Sequence, residues 1–217
     1  MLDNRSLSRM WDYADPRVSE SRLRAARDAA AAAEEPVERD ELTTQVARAL
    51  GLQGEYASAE AELAAISSDV PVVQVRVLLE RGRIANSSSD RAGAVRRLHE
   101  AARLAREHGL TYLLVDALHM LAIADPAYSG LWTDQGIEVA QRADEQTQVW
   151  MIALSNNRGW DFFDAGDFAM ARQYFEQAEQ WADRMGTRRQ QQLAREALAE
   201  CDAAIRAAEP ARDVRDY

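Results

Sequence analysis

The stretch from Asn156 to Gly186 constrains the fold more than any other part of the sequence. Its small residues, Gly159, Ala171 and Ala178, stand at positions where two neighbouring helices would have to touch. Gly166-Asp167 is suited to the turn between them, because glycine tolerates positive φ and aspartate caps the helix that follows. The large residues that we expect to fill the space between the helices are Phe162, Phe168 and Phe175. The stretch is therefore predicted to form a helical hairpin.

Related spacings of small and apolar residues occur earlier in the chain. Residues 37–71 contain the small residue Ala47, a turn at Gly54 and a closing Pro71. Residues 72–109 match the hairpin above at a single offset of 77 positions: Gly82, Ala94, Leu98, Ala101 and Gly109 correspond to Gly159, Ala171, Phe175, Ala178 and Gly186. A constant offset predicts that the chain repeats one structural unit.

The segment between these repeats, residues 110–147, matches less well. Leu114 to Ala122 carry apolar residues at helical spacing, and Asp125-Pro126 is expected to end that helix. Ile137 and Ala140 indicate a second helix. The residues expected in an atypical turn between the two helices are Tyr128, Gly130 and Trp132.

These patterns resemble the tetratricopeptide repeat (TPR), a helical hairpin of about 34 residues. The match rests on a small residue in the first helix, Gly-Asp-Phe at the turn, and Ala, an aromatic residue and Ala in the second helix. The resemblance implies an all-α, right-handed solenoid of about four hairpins between an N-terminal and a C-terminal capping helix, with more than about 70% helix. The expected segments are an N-terminal segment and capping helix at 1–36, hairpins at 37–71, 72–109, 110–147 and 148–186, and a capping helix with a tail at 187–217.

The first 36 residues contain two features that fix this cap. Asp15-Pro16 reads as a helix start, with the aspartate as N-cap and the proline at the first helical position. The helix is expected to run to about Glu35. Trp11 or Tyr13 is expected to pin it against the first hairpin.

Composition excludes several classes of partner. The formal net charge is −10, which argues against nucleic acid or an anionic membrane, because phosphate binding needs a basic face. The chain has no lysine, so neither a lysine Schiff base nor a P-loop lysine can be built. No apolar run suits a signal peptide or a membrane span. With Cys201 as the single cysteine, we expect a cytoplasmic protein, and the resemblance suggests a bacterial one.

No enzyme signature is present. The three histidines, His99, His108 and His119, do not form an HExxH motif, and one cysteine cannot make a thiolate zinc site. The nucleotide-binding and hydrolase motifs GxGxxG, GKS, GKT and GxSxG are missing from the sequence. We therefore expect a non-catalytic protein without metal or cofactor.

The resemblance also implies a binding groove. In the family, the residue after the small residue of each first helix faces the concave side, and in three hairpins this residue is Arg48, Arg83 and Trp160. The other candidate groove residues are His119, Asn156, Asn157 and Phe163. The two arginines would grip an acidic segment of a protein or peptide partner, and Trp160 with Phe163 would hold an apolar side chain that follows it.

Two other functions are consistent with the sequence. One is a peptide-sensing regulatory module that lacks its DNA-binding domain. The other is an accessory enzyme with a small-molecule pocket near Trp160 and His119. Self-association into a homodimer through one end is a further expectation, because the alanine-rich helix at 17–35 is a thin cap and solenoid ends expose apolar edges.

Overall fold

A computed structural model of the chain describes residue 2 and residues 4–208. Helix accounts for 83% of it, and the described part contains no strand. This confirms the all-α class predicted from the sequence. The chain divides into two compact units, Met1–Ala127 and Tyr128–Tyr217, so the boundary falls inside the predicted hairpin at 110–147. The predicted tail after residue 208 lies outside the described residues.

The first unit consists of seven helices. They are α1 (Asn4–Met10), α2 (Pro16–Ala32), α3 (Pro36–Leu52), α4 (Tyr56–Ala64), α5 (Pro71–Ser87), α6 (Arg91–Glu107) and α7 (Thr111–Ala124). Each helix packs on the next, and α3 also packs on α5, and α5 on α7. The helices α3, α5 and α7 therefore form one row.

The second unit follows a short 3₁₀ turn at Pro126–Tyr128. Its helices are α8 (Ser129–Gln141), α9 (Glu145–Gln148), α10 (Trp150–Asp164), α11 (Phe168–Met185) and α12 (Arg188–Ala208). Here α10 packs on α8, α11 and α12, and α11 packs on α12. The long final helix predicted after Gly186 is confirmed.

Prolines and aspartates mark the starts of several helices. The start at Asp15-Pro16 is as predicted, whereas Pro71, expected to close the first hairpin, begins α5. Pro16, Pro36 and Pro71 each occupy the first turn of a helix, where the missing N–H has no partner to lose. Asp15 caps α2 by accepting from the backbone N–H groups of Arg17 and Val18. The sparse glycines and prolines thus lie mainly where helices begin or end.

The helices differ from the expectation in three places. The first segment contains a helix, α1, that its polar composition does not reveal. Helix α2 ends at Ala32, three residues before Glu35. Gly130 and Trp132, expected in a turn, lie in the first turns of α8. The connection between α7 and α8 is therefore shorter than predicted, and only residues 125–128 form it.

The close approach of the two helices in each hairpin follows the predicted repeat. A Cβ added to Gly159 would lie 2.5 Å from Phe175 Cε1, and one added to Gly82 would lie 2.7 Å from Leu98 Cδ2. Both distances are far below van der Waals contact. The two glycines and their two large partners are related by the offset of 77 positions, so the same small-against-large contact closes α5 on α6 and α10 on α11.

The turns of these hairpins are also equivalent. Gly166 has φ of 79°, and Ser89, 77 positions earlier, has φ of 68°. Only glycine adopts this left-handed conformation without a steric penalty. The next residue in each turn, Asp90 or Asp167, caps the second helix through a backbone N–H three residues on. The turn at residue 89 therefore keeps the geometry while carrying the less suitable residue.

We expect Ala171→Leu to destabilise the protein. Ala171 is fully buried in a cluster with Phe175 and Cys201, and overpacking of this kind typically costs about 1–3 kcal/mol. The melting temperature should fall by several degrees. Ala169→Leu, an exposed position on the same helix, is the matched control and should change stability by less than about 0.5 kcal/mol. Equal melting temperatures for the two variants would contradict this packing.

We expect Ser89→Gly to stabilise the protein, because Ser89 has a positive φ and glycine adopts this conformation without the steric strain of a side chain. The gain should be up to about 1 kcal/mol once the larger backbone entropy of glycine in the unfolded chain is subtracted. Ala61→Gly, at an exposed position in the middle of α4, should instead lower stability by up to about 1 kcal/mol. Chemical denaturation of both variants measures the contrast in sign, and a loss of stability in Ser89→Gly would contradict it.

Candidate functional site

A buried charge cluster joins the row of helices α3, α5 and α7. It consists of five side chains, which are Glu41, Arg76, Glu80, Arg83 and Asp116. The Arg76 Nε donates to Glu41 Oε1 at 3.1 Å, and both side chains are at most 6% exposed. This pair connects α3 to α5. Each guanidinium and carboxylate in the cluster is desolvated, so each needs its partner to remain charged.

Arg83 connects α5 to α7 through two carboxylates. Its Nη1 donates to Glu80 Oε1 at 2.6 Å, and its Nη2 donates to Asp116 Oδ1. Its side chain is only 14% exposed. The sequence predicts that Arg83 grips an acidic ligand, but the structure commits two of its nitrogens to internal carboxylates. Arg48 and Arg83 are therefore not two unpaired guanidiniums that could both bind one acidic ligand.

The ionisation of the cluster reflects burial opposed by charge. Burial raises the pKa of the Glu80 carboxyl, although the positive charges of Arg83 and Arg48 act against it. For Asp116, burial is outweighed by the charges of Arg83 and Arg48 and by the Arg83 hydrogen bond, so its pKa is lowered. Burial raises the pKa of nearby Tyr112 to about 12.

His119, one of the candidate groove residues, lies near Asp116 and Arg83 of this cluster. Burial lowers the pKa of its ring, and the positive charges of Arg83 and Arg48 act in the same direction against the attraction of Asp116. The imidazole is therefore neutral at pH 7. The structure thus brings three of the predicted site residues, Arg48, Arg83 and His119, into one electrostatic neighbourhood.

Arg48 differs from the other arginines of this region. The ion pairs of the cluster involve Arg76 and Arg83, and none among the described residues involves Arg48. Its guanidinium instead lies over the ring of Trp11, with Cζ 5.3 Å from the ring centroid. Trp11 in turn stacks on Tyr13, with centroids 5.3 Å apart and the planes inclined by 9°. Half-buried Arg48 therefore retains donors for an external anion.

Arg48 lines a cleft of about 320 Å³ between α3, α5 and α7. The two large apolar side chains at its edge, Leu52 and Ile123, are 53% and 46% exposed. The other residues that line the cleft are Ala47, Gly51, Tyr56, Glu80, Arg83, Ile84, Asn86, Ser87 and Met120. The cleft thus has apolar walls and a charged floor. Its volume suits one large side chain.

The remaining site predictions fall on α10 in the second unit. Trp160 makes edge contacts with Phe163 and Phe175, with ring centroids 5.2 and 5.0 Å apart. Trp160 and Phe163 are partly buried against a cluster that includes Ala197 and Cys201 of α12. These aromatic residues therefore contribute to the packing of their own unit.

Asn156 and Asn157 are half-buried on the same helix. Phe162, expected in the hairpin interior, stacks on Tyr174 of α11 and lies under the Arg158 guanidinium. The predicted site residues thus divide between the two units, three in the first and four in the second.

The sequence does not reveal several residues of the first site. Glu80 precedes Arg83 by three positions on one helix, a spacing that favours an ion pair, and that signal could have identified it. Asp116 gave no local signal, because its arginine partner lies 33 positions away. Trp11 is expected only to pin the first cap, whereas the structure places it on Arg48.

The described residues contain no group of three or more potential metal ligands. Within the same part of the chain, no helix has the length and apolar character needed to cross a membrane. The arrangement consists of internal charge pairs beside an apolar cleft.

Comparison with known proteins gives a likeness of fold. No family model matches the chain, and no curated protein matches it. Among solved structures, the crystal structure of BtubC (BKLC) from P. vanneervenii matches with a TM-score of 0.54 and 15% sequence identity, over 97% of this chain and 96% of that chain. At this identity the likeness concerns the helical fold alone.

We expect removal of one buried carboxylate to cost much more stability than removal of an exposed one. Asp116→Asn should lower the free energy of unfolding by about 3 kcal/mol, because it leaves the buried Arg83 with one anionic partner. Asp134→Asn removes one of the two carboxylate partners of Arg158, and because its side chain is 50% exposed the change should cost less than about 1 kcal/mol. Similar losses in urea denaturation would contradict a structural role for the cluster.

Proposed function

We propose that this chain is a non-catalytic, TPR-like scaffold that binds a segment of another protein in the cleft of its first unit. The proposal has two parts, the repeat architecture and the binding surface. The repeat architecture is supported by equivalent contacts within each of the two units, and the binding surface by contacts within the first unit.

The repeat architecture is supported by equivalent contacts at fixed offsets. Arg81 on α5 pairs with Glu60 on α4, and Arg158, 77 positions after Arg81, pairs with Asp134 on α8. Each arginine thus ties the first helix of a hairpin to a preceding helix. Together with the glycine contacts described above, this favours TPR-like hairpins in which α3, α5 and α7 form an inner row.

The observation that carries the binding proposal is the combination of Arg48 with exposed apolar walls. Apolar side chains such as Leu52 and Ile123, exposed together beside a cleft, are typical of interaction sites. Arginine and aromatic side chains contribute strongly to protein interfaces, and Arg48 lies on Trp11. We therefore expect the cleft to take one large apolar side chain while Arg48 binds a neighbouring carboxylate.

This specifies the ligand more narrowly than the sequence did. Because Arg83 is occupied by Glu80 and Asp116, one acidic group is enough to satisfy the available cation. The partner segment would carry one acidic residue close to a large apolar residue. The chain's net charge of −10 would repel such a segment elsewhere on the surface.

Proximity labelling in the native cell tests the proposal. The wild-type chain should enrich a set of proteins that Ile123→Asp in the cleft loses, because the buried apolar contact is replaced by a charge. Leu193→Asp is the matched control, since Leu193 is 44% exposed on α12 and lies outside the cleft. Equal enrichment by both variants would contradict the proposed site.

Once a partner is identified, Arg48→Ala should weaken its binding by about tenfold and reduce its dependence on salt, because it removes one charge-assisted contact. Arg172→Ala is the control, because this arginine pairs with Glu176 and Asp202 in the second unit. Titration calorimetry at two salt concentrations measures both effects. Unchanged salt dependence in Arg48→Ala would contradict the role of this residue.

A further inference from the structure

The first segment of the chain, Leu2 with residues 4–11, lies against α2 and α3 beside Glu41 and Arg48. The backbone N–H of Leu2 donates to Glu41 Oε2 at 2.7 Å. Leu2 and Leu7 are 5% and 9% exposed, and both belong to the same apolar cluster as the α3 core. Helix α1 itself packs on α2, so the segment is held by a backbone hydrogen bond to α3 and by two apolar side chains in the cluster that α2 and α3 share.

Trp11 provides the third anchor of the segment. Its ring lies against the Arg48 guanidinium and is covered on its other side by Tyr13. The anchors Leu2, Leu7 and Trp11 are separated by four and then three residues. The surface that α2 and α3 form thus holds apolar side chains at a definite spacing, together with one aromatic ring beside the arginine.

A short connection follows the segment. The Asp12 N–H donates to Ser19 Oγ at 2.7 Å, and the Ser19 hydroxyl donates to the Asp12 carbonyl at 2.9 Å. These bonds hold the start of the connection on α2. The connection therefore provides a tether that keeps the segment near its site after undocking.

The docked segment has little stability of its own. Helix α1 has seven residues, and helices of this length do not persist in water without tertiary contacts. Elements with few buried contacts open at a lower free energy than the core of a protein. The segment can therefore leave its site while the longer helices of the unit remain folded.

We infer that the surface of α2 and α3 around Glu41 and Arg48 is a binding site for a partner segment with this spacing of anchors, and that the chain's first segment is its internal competitor. A short tether gives the internal segment a high effective concentration. A partner binds only when it displaces the segment, and displacement also frees Arg48 from Trp11. The inference shares Arg48 with the proposed function, but its site includes Glu41 and the apolar cluster of α2 and α3 in place of Leu52 and Ile123.

A synthetic peptide with the sequence of residues 2–13 is the probe. Fluorescently labelled at one end, it is titrated by anisotropy with the full chain as wild type, as Leu7→Asp and as the control Leu193→Asp. Leu7→Asp undocks the internal segment, because it places a charge in the apolar cluster. This variant should bind the peptide at least about tenfold more tightly than wild type, since the site is no longer occupied. Leu193→Asp should behave as wild type.

The same substitution made in the peptide should abolish binding to the Leu7→Asp chain, which tests the anchor directly. Equal affinity of wild type and Leu7→Asp for the peptide, or binding to neither, would overturn the inference. If Leu7→Asp loses helical circular dichroism, Trp11→Ala takes its place with the same criterion.

Hydrogen exchange in the wild-type chain provides a test without substitution. Excess peptide should accelerate exchange of the amides in α1 and leave α5 unchanged, and unchanged α1 exchange at saturating peptide would also overturn the inference. Ile123→Asp should leave peptide binding to the Leu7→Asp chain intact. Failure of the peptide experiment is thus distinct from failure of the proposed cleft, which is measured by partner enrichment.

Discussion

The architecture depends on how closely two helices of a hairpin can approach. A glycine on the first helix faces a large side chain on the second, Gly82 against Leu98 and Gly159 against Phe175. Any side chain at the glycine would push the helices apart and would leave the large partner without its packing surface. The flanking alanines, Ala94 and Ala171, are fully buried for the same reason. This contact fixes the spacing on which the rest of each unit is built.

Within the first unit, the row of helices α3, α5 and α7 is joined by charge as well as by packing. The net stabilisation from such a network is small, because the loss of hydration of each charged group offsets much of the attraction between them. The network also determines which arginines are already paired with internal carboxylates. Arg76 and Arg83 are paired with Glu41, Glu80 and Asp116, whereas Arg48 lies over the Trp11 ring.

The proposed cleft and the face that holds the first segment meet at Arg48. Its guanidinium lies over the ring of Trp11, and its side chain also lines the apolar cleft with Leu52 and Ile123. In the proposed complex, a ligand carboxylate and the Trp11 ring would both contact the Arg48 guanidinium. The position of the first segment therefore bears on the affinity of the cleft, and the peptide and partner experiments measure the two sides separately.

Local features of the sequence determined the helical class, most helix starts and the small-against-large contacts. These depend on short-range chemistry, such as Pro36 and Pro71 at first turns, Asp15 as a cap, and glycine opposite Phe175. The candidate site was anticipated only in part. Arg48 and His119 could be nominated by their place in a repeat, but the neutralisation of Arg83 could not, because Asp116 comes from another helix. The same holds for Trp160, which the sequence places in a groove and the structure packs on Phe175. Only the tertiary structure decides which charges meet, because the partners come from distant positions in the sequence. Whether a side chain can bind a ligand then depends on its burial and on those partners.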